Sequence, residues 1–373
     1  MMNTGLHVVQ LLPTLRTGGA ERLVTDLSTC LQTHGVRVTI VTMFGPENTP
    51  YEQRVEEAGI PHRWLNKRFG LDLRMPVRIS RTLRELRPDV LHTHLYTLRY
   101  AAPALPVNRI PAVLYTLHSI PRKEDNMLGL LINWLAFRFR LVQPVAISPT
   151  IAAAARSLYG ARINFPVIRN GIQMPPFLAV KNAGQRKRNR FVLLNVGRLT
   201  DVKNQHFLLR IALRLQALGL DFELRFAGDG PLRQALEEQA RILSVESKVK
   251  FLGSVSDMAA VYGDADIFVL PSLYEGLPIA LLEAMASALP VVASAVGGVP
   301  DVIHDGRTGI LLPPGDESAW ATVIHQLATS PELRKKLGSA AREEVVARYD
   351  IGSTTRAYLE LYHKLLRAKG HRG

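Results

Sequence analysis

Short β-branched and aliphatic runs alternate with longer amphipathic runs along the whole 373-residue chain, and no other feature restricts its fold as much. In the first half the apolar runs fall at 6–12, 36–43, 60–65, 89–92, 112–116, 145–147 and 165–168. In the second half they fall at 191–196, 223–227, 249–252, 267–270, 291–293 and 309–312. Stretches with helical spacing lie between them, among them 21–34, 76–87, 204–218, 232–243 and 279–287. Runs that are apolar throughout mark strands covered on both faces. Strands that each hand over to a helix mark parallel sheets, because a parallel neighbour is reached only by a crossover. The expected fold class is α/β, with two Rossmann-like doubly wound parallel-sheet domains facing each other across a cleft.

The break between the halves is local and polar. Asn170-Gly171 forms a turn, Pro175-Pro176 stops regular structure, and residues 181–190 hold five basic residues and no acid. The expected division is a first domain at 1–172, a basic linker at 173–190 and a second domain at 191–353. The helical stretch at about 354–369 follows the last strand and is expected to return onto the first domain. In doubly wound sheets, ligands bind beyond the C-terminal ends of the strands, so chemistry belongs in the loops that follow them.

Charge is spread unevenly. The net +14 resolves into +10 for residues 1–180, +5 for 181–190 and −1 for 191–373. Three partners fit this asymmetry: an anionic membrane surface, a phosphorylated acceptor or nucleic acid. A solvated basic surface fits it too. Arg74, Arg78 and Arg81 recur at helical spacing and can share one face, leaving Val77, Leu83 and Leu86 for the core. The chain is expected to be cytoplasmic, with docking at the inner face of a membrane as one account of the charge. Its apolar run at 8–12 is too short for a secretory signal. The longer run at 127–142 is interrupted by Asn133, Arg138 and Arg140, short of the ~20 residues a span needs. Cys30 stands alone, which rules out a disulfide and a Cys-based zinc site.

The loops carry the chemistry. Thr17-Gly18-Gly19-Ala20-Glu21 opens a helix after the first strand, where free N–H groups and two glycines allow a ligand close approach. It lacks the Gly-x-Gly-x-x-Gly spacing of a dinucleotide site. In the second half, Gly197-Arg198-Leu199 and Lys203-Asn204 precede a helix. There Arg198 offers a fork and Lys203 a point charge to a diphosphate. Gly228-Asp229-Gly230-Pro231 makes another tight strand-to-helix turn. Pro271-Ser272-Leu273-Tyr274-Glu275-Gly276-Leu277-Pro278 then runs into 279–285, with Pro278 at the expected first helical position. Glu283, among Leu281, Leu282, Ala284 and Met285, either faces the cleft or is buried at a cost. Two carboxylates that accept from hydroxyls suit a polyol ligand, one for a sugar and one for a ribose.

In this order the motifs resemble the retaining glycosyltransferase family 4, the bacterial-type glycosyl transferase group 1, with the GT-B architecture. The resemblance also takes in Gly-Gly-Val-Pro at 297–300 and Asp-Gly-x-Thr-Gly at 305–309, and covers nearly the whole chain. It implies that Arg198 and Lys203 bind the donor diphosphate and that Glu283 holds the ribose. Glu275, with the backbone of Gly276 and Leu277, would meet the donor sugar. Gly18 and Gly19 would approach the phosphate from the first domain, Gly228 would line the donor site, and His118 would stand near the reacting sugar. His92 and His94 near a strand end fit a packed role equally well. The resemblance implies that the second domain binds a UDP- or GDP-linked donor and the first a glycan, lipid-linked or small-molecule acceptor, with anomeric configuration retained. The reaction needs no cofactor: Asp264-Ala265-Asp266 reads as turn and strand entry, so no metal ligand is assigned.

Two other classes compete. An epimerase or a pyridoxal-type phosphorylase could share this architecture, although no local signature nominates a Schiff-base lysine. A pI near 10.1 suggests a nucleic-acid binder, but helix-turn-helix, zinc and single-strand-binding signatures are all missing.

Overall fold

A computed structural model describes residues 5–16, 18–179 and 190–370. The chain divides into two compact units, one of residues 1–171 with 351–373 and the other of residues 172–350. The basic stretch at 181–189 and Thr17 lie outside the described residues.

The first unit holds a six-stranded parallel sheet. Its strands are β1 (His7–Leu12), β2 (Arg37–Thr42), β3 (His62–Trp64), β4 (Val90–His94), β5 (Ala112–Leu117) and β6 (Gln143–Ala146). The second unit holds another, of β7 (Phe191–Val196), β8 (Phe222–Ala227), β9 (Val249–Gly253), β10 (Ile267–Leu270), β11 (Val291–Ser294) and β12 (Ile310–Leu312). The orders are β3-β2-β1-β4-β5-β6 and β12-β11-β10-β7-β8-β9. Each is the doubly wound order whose direction reverses between the first and fourth strands, which opens a crevice at their C-terminal ends. Those ends are β1 with β4 in one unit and β7 with β10 in the other.

Both cores follow from the apolar runs. In the first unit Leu23, Leu27 and Leu31 of the helix Gly19–Thr33 pack on Val8, Val38 and Ile40. The helix Ile351–Ala368 lies in the same cluster, with Tyr358 and Tyr362 one turn apart and both fully buried. Their hydroxyls enter the sheet, Tyr362 at 2.8 Å from His92 Nδ1 and Tyr358 at 2.9 Å from Thr116 Oγ1. In the second unit Phe207, Leu215, Trp320 and Ile324 cover the sheet.

Several local expectations are corrected. Residues 165–168 form no strand of the sheet: Val167 makes one isolated bridge to Ala146. Pro166 has no N–H, so a ladder cannot continue through it. β4 extends to His94 instead of ending at His92 and buries both rings. Pro278 caps the helix Ile279–Ala286 and does not occupy its first turn. On the helix Met75–Leu86, Val77 is 70% exposed, while Ile79 and Leu83 face the core. Arg78 does not share a free basic face, because its Nη1 donates to the carbonyls of Leu65 and Asn66, each at 2.8 Å. No helix among the described residues is long and apolar enough to cross a membrane.

Candidate active site

In the second unit the loops after β7 and β10 are stitched together at the crevice. Leu273 N donates to Val202 O at 2.8 Å, and Asn204 Nδ2 donates to Pro271 O at 3.2 Å. Asn204 adopts the left-handed conformation (φ 53°), one that asparagine tolerates, and so leads the chain from a short 3₁₀ turn at Asp201–Lys203 into the helix Gln205–Ala217. The turn brings Lys203 to Glu275, with Nζ 2.6 Å from Oε1. Ser272 Oγ donates to the same oxygen at 2.6 Å. Glu275 is 7% exposed, so its charge is held by one cation and one hydroxyl in a largely dry place. Arg198, on the β7 loop, is exposed, and its carbonyl accepts from the buried Gln205 Nε2 at 3.1 Å.

Two glycines make this assembly possible. A Cβ on Gly228 (φ +136°) would lie 2.2 Å from Gly197 O, and one on Gly297 (φ +54°) would lie 1.8 Å from Glu275 O. Close backbone approach at both positions excludes any side chain. Gly228 therefore shapes the Arg198 loop by packing, and Gly297 holds the loop that carries Glu275, Gly276 and Leu277. Gly276 and Leu277 are both buried. Glu283 sits 5% exposed on Ile279–Ala286, and the Tyr262 hydroxyl lies 3.0 Å from its Oε2. The burial of Glu283 is met by the Tyr262 hydroxyl, which donates to one carboxylate oxygen. Asp264 pairs with Arg225 at 2.5 Å, and Asp266 Oδ2 accepts from Val192 N at 2.8 Å. Both aspartates thus serve local structure.

In the first unit Gly18 caps the helix Gly19–Thr33, and the Glu21 side chain folds over it: a Cβ on Gly18 would meet Glu21 Oε2 at 2.3 Å. His118 follows β5, where Glu124 fastens the loop. The Glu124 carboxylate accepts from the amides of His118 and Ser119 at 2.9 Å each and from Tyr115 Oη at 2.8 Å. Burial pushes the Glu124 carboxyl up to about 7. His118 Nε2 lies 3.0 Å from His94 Nδ1, and His94 Nε2 lies 2.8 Å from Gln10 Oε1. With the Gln10 oxygen as acceptor, His94 donates from Nε2 and accepts from His118, which leaves His118 Nδ1 with a free lone pair. Burial lowers His118 to about 3, so the ring is neutral.

Lys203, Glu275, Gly276 and Leu277 thus form one group with Arg198 and Gly228 beside it, while Gly18, Gly19 and His118 belong to the other unit. Sequence reasoning passed over Ser272, Tyr262, Glu124 and Gln10. Each acts by holding another side chain, and only Ser272, three residues before Glu275, left a local signal.

Two family models match in succession, Glycosyltransferase Family 4 over residues 17–174 and Glycosyl transferases group 1 over residues 179–344. EpsF of Bacillus subtilis, named as a glycosyltransferase, is 28% identical over 97% of this chain and 98% of its own. The glycogen synthase of Mycobacterium tuberculosis is 28% identical over 94% of this chain and 92% of its own. Among solved structures, Anabaena Alr3699/HepE in complex with UDP and glucose aligns with a TM-score of 0.83 at 22% identity, covering 96% of this chain and all of that one. Sucrose-phosphate synthase from Thermosynechococcus elongatus aligns with a TM-score of 0.82 at 19% identity, covering 97% of this chain and all of that one. With its two doubly wound sheets and the two matching models end to end, the chain belongs to the group 1, family 4 glycosyltransferases and has the GT-B fold.

Proposed function

We propose that this glycosyltransferase moves a sugar from a nucleotide diphosphate donor to a glycan, lipid-linked or small-molecule acceptor, retaining anomeric configuration and requiring no divalent metal. The observation that carries this is the junction of the β7 and β10 loops, where Lys203 bridges to Glu275 and Arg198 stands exposed beside it. Departure of a nucleoside diphosphate builds negative charge on its oxygens, and two cations on neighbouring turns, Lys203 held by Glu275, stabilise that charge where it grows. Glu275 then orients Lys203 and accepts from a donor-sugar hydroxyl, and Glu283 accepts from the ribose. A neutral His118 lowered to about 3 is too weak a base to take the acceptor's proton. As the family resemblance implies, an oxygen of the leaving diphosphate takes that proton on the same face, with retention of configuration. The HepE complexes with UDP and UDP-glucose favour a UDP-linked donor over a GDP-linked one. Engagement of Asp264 and Asp266 in local structure favours charge stabilisation by side chains over a metal.

The test is a panel of nucleotide sugars titrated onto the protein, followed by transfer assays with and without EDTA and NMR of the product's anomeric proton. Binding of one donor class and transfer that survives EDTA are expected. Absence of binding across the panel, or activity lost to EDTA and restored by Mg²⁺ or Mn²⁺, would overturn the reading. Isomerised sugar from donor alone would instead indicate an epimerase.

The same reading has the enzyme meet its acceptor at an anionic membrane surface. Met127 (77%), Leu131 (54%) and Phe139 (65%) are exposed in and just after the helix Met127–Arg138, and Arg138 and Arg140 are exposed with them. Each such cation near an anionic bilayer contributes about 1 kcal/mol, screened by salt. Binding to phosphatidylglycerol vesicles, weak binding to neutral ones and release by roughly 0.5 M salt are expected. Equal affinity for both vesicle types would rule the electrostatic attachment out.

A further inference from the structure

We propose that a cavity of about 330 Å³ in the first unit, bounded by the loop after β3 and the short helices after β4, binds a phosphate group carried by the acceptor. Phe44, Lys67, Tyr96, Arg99, Tyr100 and Asn126 line it. This rests on the transferase reading above and on the resemblance, which gives the acceptor to the first domain.

Lys67 is the unusual residue. It is only 8% exposed, and its ammonium pairs with no carboxylate among the described residues. Its Nζ donates to the carbonyls of Arg68 and Gly70 at 2.8 and 2.5 Å and lies over the rings of Phe44 and Tyr100, 5.0 and 5.3 Å from their centroids. Asp72 is close in sequence and its charge is felt at Lys67, but no hydrogen bond or ion pair joins them: its carboxylate oxygens accept from the amides of Arg68 and Arg74. Carbonyl dipoles and ring faces soften the cost of burying a cation without cancelling its charge.

Arg99 has the complementary oddity. Its guanidinium stacks on Tyr96 and Tyr100, 4.6 and 5.2 Å from their centroids, and donates once, from Nη1 to Asp125 Oδ1 at 3.0 Å. Its Nε–H is buried without a hydrogen-bond partner. Asp125 Oδ2 is unpaired as well and can take that N–H in a bidentate pair, whereas Nη2 makes no hydrogen bond among the described residues and is left to meet an acceptor. Asp125 is in contact with Arg99, whereas no carboxylate among the described residues is in contact with Lys67. A phosphate supplies both the charge and the several acceptor oxygens that an ammonium, a guanidinium fork, the Tyr96 hydroxyl and the Asn126 amide can meet. Exposed Leu71 and Leu128 at the rim suit an acceptor whose phosphate is joined to an apolar part.

The phosphate source is either a free phosphorylated molecule or a lipid headgroup. With UDP saturating any diphosphate site, methyl NMR of Leu71 and Leu128 in the full-length protein would be followed during titration with inorganic phosphate and, separately, with phosphatidylglycerol bicelles. Shifts with inorganic phosphate support the site with a soluble source, and shifts with bicelles alone support it with a lipid source. Lys67→Met and Arg99→Gln are each expected to weaken the response at least about tenfold, the scale of one charge-assisted hydrogen bond. If Lys67→Met does not fold, Arg99→Gln carries the comparison. No shift in either titration, or shifts that both variants leave unchanged, overturns the proposal. UDP affinity, measured in parallel, reports on the donor reading separately.

Discussion

Arg198 and Lys203 look interchangeable as a cationic pair, but their surroundings separate them. Arg198 is exposed, whereas Lys203 neutralises the largely buried Glu275. Arg198→Ala is expected to lower turnover at least ~100-fold, the scale of losing one charge-stabilising donor, with an unchanged melting temperature. Lys203→Ala should lose as much turnover and also stability, by about 1–3 kcal/mol, because it leaves Glu275 with Ser272 alone. Adding Glu275→Gln to Lys203→Ala should recover part of that stability without recovering turnover, a non-additivity expected of contacting residues. Calorimetry and steady-state rates on the four proteins decide it. Equal stability of the two single variants would sink the coupling.

At the scale of elements, the loops after β7, β10 and β11 behave as one unit because backbone meets backbone. The Glu275 carbonyl accepts from Gly298 N at 3.3 Å, and Gly297 stands against the same oxygen. Gly297→Ala would force a Cβ to within 1.8 Å of that oxygen at a positive φ, so the loop must move. Such strain costs on the order of 1–3 kcal/mol. Nucleotide affinity should fall while far-UV circular dichroism stays the same, since the sheet is untouched. Unaltered affinity for UDP across the panel's best donor conditions would show that the loop tolerates displacement. On the basic helix Met75–Leu86, Arg78 reaches carbonyls at the start of the loop after β3, and the neighbouring Val77 points outward.

For the whole molecule, buried neutral histidines set the acid limit. Burial lowers His92 and His118 to about 3 and His62 to about 4, and lowers His7 and His94 as well. Unfolded, these rings take up protons near 6.5, while the native state stays neutral until the pH is far lower. Their stabilisation is thus complete above about 6.5 and is lost as pH falls towards 4 and 3. Glu124, raised to about 7, acts in the opposite sense: it favours the native state below its unfolded value of 4.5 and loses that advantage as pH rises towards 7. Asp125, also raised by burial, acts in the same sense as Glu124, and five rings outweigh two carboxyls. Urea midpoints should drop steeply between pH 7 and pH 5, and His92→Gln should flatten that slope by up to about 1.4 kcal/mol per pH unit. Midpoints that hold steady or rise on acidification would contradict buried neutral rings.

Much of this was written in local sequence. Alternating apolar and amphipathic runs sufficed for two α/β halves, because a strand or helix depends on residues within a few positions of one another. The same locality placed Arg198, Lys203, Glu275 and Glu283 in or just after strand-to-helix loops. What lay out of reach was every relation between distant residues. Lys203 and Glu275 are 72 positions apart, and His92 and Tyr362 are 270 apart. Nothing in either neighbourhood indicates the other. The strand orders, the contact of Gly228 with Gly197, the burial of Lys67 with no carboxylate in contact among the described residues and the outward turn of Val77 share that character. Long-range packing decides them, since only the assembled sheet determines which carbonyl, ring or carboxylate a side chain meets.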